Sequence, residues 1–233
     1  MSSLPRKKPI CAAALFLSIA LTAGGLRLSC SGAAQVYRSV PTNAMRIALT
    51  FDDGPHPSQT RRILDILDRY QAQATFFMIG VNVERYPQAA AEVAARGHEI
   101  GNHTFSHSRL TVMEPSAVAD ELRRCEEALW KHCQYRPKLF RPPEGFLNEG
   151  VLQCSEGSCY SLILWSIDTR DWEVKDASAI AEEVLTHVKP GAIVLMHDYV
   201  ANSKTPEALE ILLPRLQALG YQLVTVGELI GVA

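Results

Sequence analysis

The sequence has almost no imbalance of charge: 23 Lys and Arg stand against 25 Asp and Glu, for a formal net charge of −2. Without a basic excess it lacks the electrostatic footprint of a nucleic-acid-binding protein, and without an acidic block it lacks a solvated tail of like charge. Internal repeats and low-complexity tracts are also missing, which removes solenoids and biased linkers from consideration. Cysteine is sparse. Two of six, Cys11 and Cys30, fall in the N-terminal stretch, and the other four are Cys125, Cys133, Cys154 and Cys159. Their spacing is not that of a zinc site. Cys154 and Cys159 bracket a short polar segment and are the expected disulfide if one forms, with plain buried thiols as the alternative.

What is present begins with a segment unlike the rest. Arg6, Lys7 and Lys8 precede an apolar stretch from Ile10 to Leu21, and Ser31-Gly32-Ala33-Ala34 follow. A basic start, an apolar middle and a small-residue exit have the layout of a secretory signal. The competing reading is a retained anchor, although the apolar run stops at Arg27, a little short of the roughly 20 residues that a span prefers. Residues 1–36 are therefore expected to be a signal peptide or N-terminal membrane anchor with a short linker. Residues 37–233 are expected to be the folded domain, outside the cytoplasm, secreted or anchored facing the cell wall.

From Met45 onward apolar runs and helical patterns alternate. RIALTF, ATFFMIG, HEIGNHT, KLFRPP, YSLILWSID, AIVLMHD and YQLVTV read as strands. Helices are predicted over Thr60–Tyr70, Pro87–Arg96, Pro115–His132, Asn148 to about Ser155, Ala177–Val188 and Pro206–Leu219. Alternation of this kind implies a mostly parallel sheet with helices outside it. About seven such units in one chain predict an α/β fold, a distorted (β/α) barrel. In such barrels the chemistry gathers on the loops after the strands.

The reactive side chains fall where that rule requires. Asp52 and Asp53 follow RIALTF, His103 and His107 follow HEIGN, Arg141 follows LF, Asp168 and Asp171 follow LILWSI, and His197 and Asp198 follow AIVLM. His103 and His107 are four apart, a spacing that on a helical turn puts both rings on one face. With Asp53 they make two nitrogens and one oxygen, an open ligand set of catalytic type in which one divalent metal fits, zinc best. Hydrolysis at such a site needs a base and an acid. Asp52 is placed for the first and His197 for the second, with Asp171 orienting His197 and Arg141 fixing Asp52. A backbone N–H just after Pro143 is available to a developing oxyanion.

Five separated motifs, TFDDGP, HTFSH, RPPEG, DTRDW and IVLMH, occur in an order that resembles the polysaccharide deacetylases of carbohydrate esterase family 4, the NodB-homology domain. The resemblance runs from about Arg46 to the C-terminus. It implies Asp52 as base, Asp53, His103 and His107 as metal ligands, and Arg141 as the residue that orients the base. It also implies Asp171 as the residue that tunes the acid His197, Trp172 as a wall of the pocket and Leu195 as lining for the acetyl group. Many members have tyrosine where this chain has Glu144; a backbone donor survives that change, but a negative side chain near the pocket would alter substrate choice. The implied reaction removes N-acetyl groups from an amino-sugar polymer and releases acetate. Peptidoglycan is the expected polymer, given an exported domain and no attached chitin-binding segment. The alternatives are the same machinery acting on an O-acetyl ester, as in xylan, and a non-catalytic wall-binding module.

Overall fold

The apolar runs become short parallel strands, and the amphipathic runs become helices packed outside them. A computed structural model describes residues 35–199 and 202–232. The chain enters through β1 (Val36–Tyr37), β2 (Arg46–Asp52), α1 (Gln59–Arg69), β3 (Thr75–Met78), α2 (Gly80–Arg85), α3 (Pro87–Ala95) and β4 (Glu99–Asn102). It continues through α4 (Pro115–Cys133), β5 (Leu139–Phe140), α5 (Glu149–Gly157), β6 (Ser161–Ile163) and β7 (Ile167–Asp168). It ends with α6 (Ala177–His187), β8 (Ile193–His197), α7 (Thr205–Ala218), β9 (Gln222–Leu223) and α8 (Val226–Ile230). The expected signal or anchor lies outside the described residues. Among the described residues no helix is long and apolar enough to cross a membrane.

The strand order is β1-β6-β5-β4-β3-β2-β8-β7, with β9 paired to the start of β2. All named strand pairs are parallel. This is the α/β distorted barrel that the alternation predicted. Its distortion has a definite origin. YSLILWSID, read as one strand, is bent into β6 and β7, which pair at opposite ends of the sheet. The three residues between them cross the gap: Leu164 N donates to Tyr37 O at 2.7 Å and Ser166 N to Ile193 O at 3.0 Å. The ring is completed by continuous chain instead of by a ladder.

Side chains alternate faces along a strand, and β2 shows what each face does. Ile47, Leu49 and Phe51 pack outward into the main core with Ile63, Leu67, Val194, Met196 and Leu212. Ala48 points inward to a smaller core with Phe77, Leu139, Ile163 and Ile193. Thr50 and then Asp52 follow on the same inward face. The barrel interior therefore passes from apolar to ionisable along a single strand.

Four local expectations are corrected. Val36, set aside with the N-terminal segment, joins Tyr37 in edge strand β1. YQLVTV yields only a two-residue strand because Thr225 caps α8: Glu228 N donates to Thr225 Oγ1, and the Glu228 side chain accepts from Thr225 N. Helix α2 was not foreseen; six residues are too few for a periodic signal. The expected Cys154–Cys159 bridge is not formed. Cys154, inside α5, is a free thiol whose Sγ donates to Pro115 O at 3.2 Å. Cys159 lies past the helix in the left-handed region, φ 59°, and is disulfide-bonded, but not to Cys125, Cys133 or Cys154, which are all free.

His98, between α3 and β4, is 4 % exposed, and neither ring nitrogen has a partner; the ring lies edge-on to Phe76 at 5.5 Å. Burial pushes its pKa down to about 4 from the ordinary 6.5, against a smaller opposing pull from Asp68. The unfolded chain thus binds a proton there that the folded chain does not, and stability is lost as pH falls from about 6.5 towards 4. In H98F that contribution, about 3 kcal/mol when complete, is expected to vanish. Denaturant unfolding of both proteins at pH 7 and pH 4.5 measures it; an equal acid loss in the two would refute the assignment.

Candidate active site

The motif Asp52-Asp53-Gly54-Pro55 separates its two acids by backbone conformation. Asp52 is the last residue of β2 and points into the barrel, while Asp53 is left-handed at φ 73°, which swings its carboxylate to the same side. The residue that adopts the unusual conformation is Asp53 itself. Gly54 serves close approach instead. A Cβ there would lie 2.3 Å from both carboxylate oxygens of buried Asp198. Helix α2 holds the turn from the other side: Asn82 Nδ2 donates to Asp53 O at 2.8 Å, and Ile79 N to Gly54 O at 2.9 Å.

Asp53, His103 and His107 bring one ligand atom each to within 4.8 Å of one another. His107 Nε2 is 3.1 Å and His103 Nε2 3.4 Å from Asp53 Oδ1, an atom buried without a hydrogen bond. His103 Nδ1 lies 2.7 Å from Arg141 O, and a carbonyl can only accept, so Nδ1 carries a proton and in the neutral ring the lone pair is on Nε2. That is the tautomer a metal ligand needs. The residues present therefore fit a divalent cation. Burial works to neutralise Asp53, but the two imidazoles hold its carboxyl far below the usual carboxylate range.

The helical turn expected for His103 and His107 is absent. Thr104 and His107 are both left-handed, at φ 68° and 57°, and the rings meet at 5.1 Å through a loop. That loop is clamped by buried Glu121 of α4, whose carboxylate accepts from Phe105 N at 3.0 Å, Ser106 N at 2.8 Å and Ser106 Oγ at 2.9 Å. The sequence reading missed Glu121, because a glutamate in a long amphipathic helix carries no signal of what it faces.

Arg141 is fully buried. Its Nη1 donates to Asp52 Oδ1 at 2.6 Å and to Thr50 Oγ1 at 2.8 Å. Nε donates to Ile163 O and Nη2 to Leu164 O, at 3.2 and 3.1 Å, at the bend between β6 and β7. The guanidinium lies over the Phe77 ring at 4.1 Å. One oxygen of Asp52 is thereby committed to Arg141, and the other, Oδ2, is turned towards His103 Nε2 at 3.7 Å.

His197 ends β8 and is the register partner of Asp52 across the β2–β8 pair. Asp171, also fully buried, accepts from His197 Nδ1 at 2.7 Å and from His197 N at 2.9 Å. Burial disfavours the imidazolium, yet the Asp171 bond and charge outweigh it and carry the His197 pKa up to about 9. Behind Asp171 runs a buried chain that the sequence did not reveal: Thr205 Oγ1 donates to Asp171 Oδ2, Ser203 Oγ to Thr205 Oγ1 at 2.8 Å, and Gln59 Nε2 to Ser203 Oγ at 2.9 Å.

These groups open on a cleft of about 430 Å³ whose walls include Asp52, Asp53, His103, His107, Glu144, Trp165, Asp168, Trp172, Leu195 and His197. Every residue singled out for the site reaches this cleft or, like Arg141 and Asp171, stands directly behind it. Asp168 accepts from Arg170 N at 3.0 Å and lines the wall. Trp165 was not foreseen; it sits where the apolar run breaks, and its ring would lie 2.6 Å from a Cβ at Gly145. A larger cavity of about 620 Å³ lies beside Arg123, Glu126 and Arg136, and among the described residues it holds no group of three or more metal-ligating side chains. Chemistry, not size, selects the smaller one.

Comparison with known proteins agrees with this geometry. The family profile described as polysaccharide deacetylase matches residues 39–158. A peptidoglycan-N-acetylglucosamine deacetylase of Bacillus cereus is 41 % identical over 82 % of this chain and 91 % of its own length. The peptidoglycan-N-acetylmuramic acid deacetylase PdaC of Bacillus subtilis is 35 % identical over 82 % of this chain and 40 % of that longer protein. Among solved structures, a peptidoglycan N-acetylglucosamine deacetylase in complex with 4-naphthalen-1-yl-N-oxidanyl-benzamide superposes with a TM-score of 0.82. It is 34 % identical and covers 86 % of this chain and 94 % of its own.

Two measurements test the electrostatics directly. Calorimetric titration with zinc is expected to show one site per chain, with D53N and H107A each losing about a hundredfold or more in affinity; undiminished binding in either would displace the site. In D171N the His197 imidazole loses its anionic partner, so its titration, followed by NMR, is expected to move down from about 9 by at least one pH unit. An unmoved titration would show that Asp171 does not set it.

Proposed function

The chain belongs to the polysaccharide deacetylase family, and on that footing we propose that it hydrolyses N-acetyl groups of an amino-sugar polysaccharide, with peptidoglycan as the polymer and one divalent ion, zinc, as cofactor. The observation that carries this is the convergence of an Asp-His-His ligand set with a fixed carboxylate and a carboxylate-tuned histidine on one cleft. Peptidoglycan is supported by the relatives named for it and by the N-terminal signal-like layout, which favours a substrate outside the cytoplasm.

Each residue has a task in that reaction. Asp53, His103 and His107 would hold the ion. When bound, it supplies Lewis acidity towards the acetamide carbonyl and the attacking water. Asp52 Oδ2 takes the proton from water as oxygen bonds to the carbonyl carbon, while Oδ1 stays locked on Arg141. The negative charge developing on the carbonyl oxygen is assigned to the backbone N–H of Glu144, the first donor after two prolines that have none. His197, held cationic by Asp171, protonates the amine nitrogen as the carbon–nitrogen bond breaks, giving acetate and a free amine. Leu195, buried beside His197 on β8, offers an apolar wall for the methyl group, and half-exposed Trp172 closes the opposite side.

Acetate release from peptidoglycan by the zinc-loaded chain, before and after chelation, tests the reading. D52N and H197A are each expected to lower turnover by about 10²–10⁴-fold, the range for lost acid–base catalysis. Near-normal rates in both variants would refute the mechanism.

A further inference from the structure

The mouth of the cleft carries a charged device that the reaction itself does not use. Glu144 lines the cleft, and Arg109 grips its carboxylate through two bonds, Nε at 2.8 Å and Nη2 at 3.0 Å. Arg109 is itself seated over the Phe146 ring at 5.3 Å. The backbone on either side of Glu144 is constrained. Glu144 is left-handed at φ 59°, and Gly145 lies so close to the Trp165 ring that a Cβ would not fit. Glu144 is thus a positioned charge, not a free surface glutamate.

Its sign matters because of what surrounds it. Among the described residues the cleft walls carry four carboxylates, Asp52, Asp53, Glu144 and Asp168, against one imidazolium, His197, and no Lys or Arg. Asp52 is answered from behind by Arg141, and Asp53 belongs to the ligand set. Glu144 and Asp168 remain facing the substrate, while Arg109 stands outside the wall. We propose that Glu144, held by Arg109, selects against amino sugars that carry a carboxylate beside the acetamido group, so that a neutral N-acetylglucosamine unit is favoured over a muramic acid unit whose lactyl carboxyl is free. This rests on the deacetylase reading and specifies its substrate. The lactyl ether is on C3, next to the C2 acetamido group, so its charge cannot be kept away from the cleft when that sugar reacts. A like-charge approach at a partly exposed mouth costs enough for about a tenfold preference, and salt screens it.

The test uses the zinc-loaded chain and a tetrasaccharide alternating N-acetylglucosamine and N-acetylmuramic acid, with its lactyl carboxyls either free or as methyl esters. Mass spectrometry assigns which unit loses acetyl. Wild type is expected to favour the glucosamine units of the free acid by about tenfold, with the preference shrinking in the ester and at high salt. E144Q is expected to show a smaller preference with the free acid and a weaker loss of that preference on esterification than wild type. An identical preference for acid and ester in wild type would make the selection steric and overturn the inference, and that comparison does not depend on E144Q folding. An unchanged preference in folded E144Q would overturn it as well. Acetate release from neither unit, in either form, would instead remove the deacetylase reading on which it rests.

Discussion

A guanidinium shut away from water is the constraint around which this fold is arranged. An unpaired buried cation is strongly unfavourable, and breaking a buried pair leaves an uncompensated charge, typically at a cost of about 3–5 kcal/mol. Arg141 escapes that by meeting Asp52, Thr50, two backbone carbonyls and an aromatic face. Those carbonyls belong to Ile163 and Leu164, where the chain leaves one edge of the sheet and crosses to the other. Satisfying the cation, closing the ring and fixing Asp52 are therefore one event. The apolar floor below, with Phe77 filling the space that Gly101 leaves, keeps water from relaxing the requirement.

The same economy gives neighbouring groups different chemistry. Asp52 and Asp53 are adjacent, but one ends a strand and faces Arg141, and the other is left-handed and faces two imidazoles. His103 and His197 differ likewise. A carbonyl opposite Nδ1 leaves the Nε2 of His103 facing the ligand set, while a carboxylate opposite Nδ1 makes His197 a cation. Partner identity, not residue type, assigns the roles.

Much of this was legible from the chain. Apolar runs of strand length between amphipathic segments are enough to indicate a parallel α/β barrel, since each strand's burial on both faces is written into its own composition. The rule that chemistry follows strand ends then picked out the aspartates, histidines and Arg141 without any contact being known. Where the reading failed, the cause was local backbone. The histidine pair is carried by two left-handed residues and not a helix, and the aspartate turn depends on Asp53 more than on Gly54. No periodicity encodes a single positive φ at a non-glycine residue.

The residues that support the site were the least visible. Glu121, Asn82, Thr205 and Arg109 lie 15 to 35 positions from the group each one holds, namely Phe105–Ser106, Asp53, Asp171 and Glu144. None belongs to a motif, because a hydrogen bond between remote segments exists only once the segments are packed. The sequence by itself determined which ionisable groups follow the strands, their order and the kind of fold that could gather them, since these depend on side-chain chemistry and on hydrophobic patterning along the chain. Tertiary structure alone decided how each group is oriented and charged, which disulfide does not form, and that a glutamate at the cleft mouth is locked by an arginine. Orientation, burial and pairing are properties of distances in space, and those distances are set by the packing of the whole barrel.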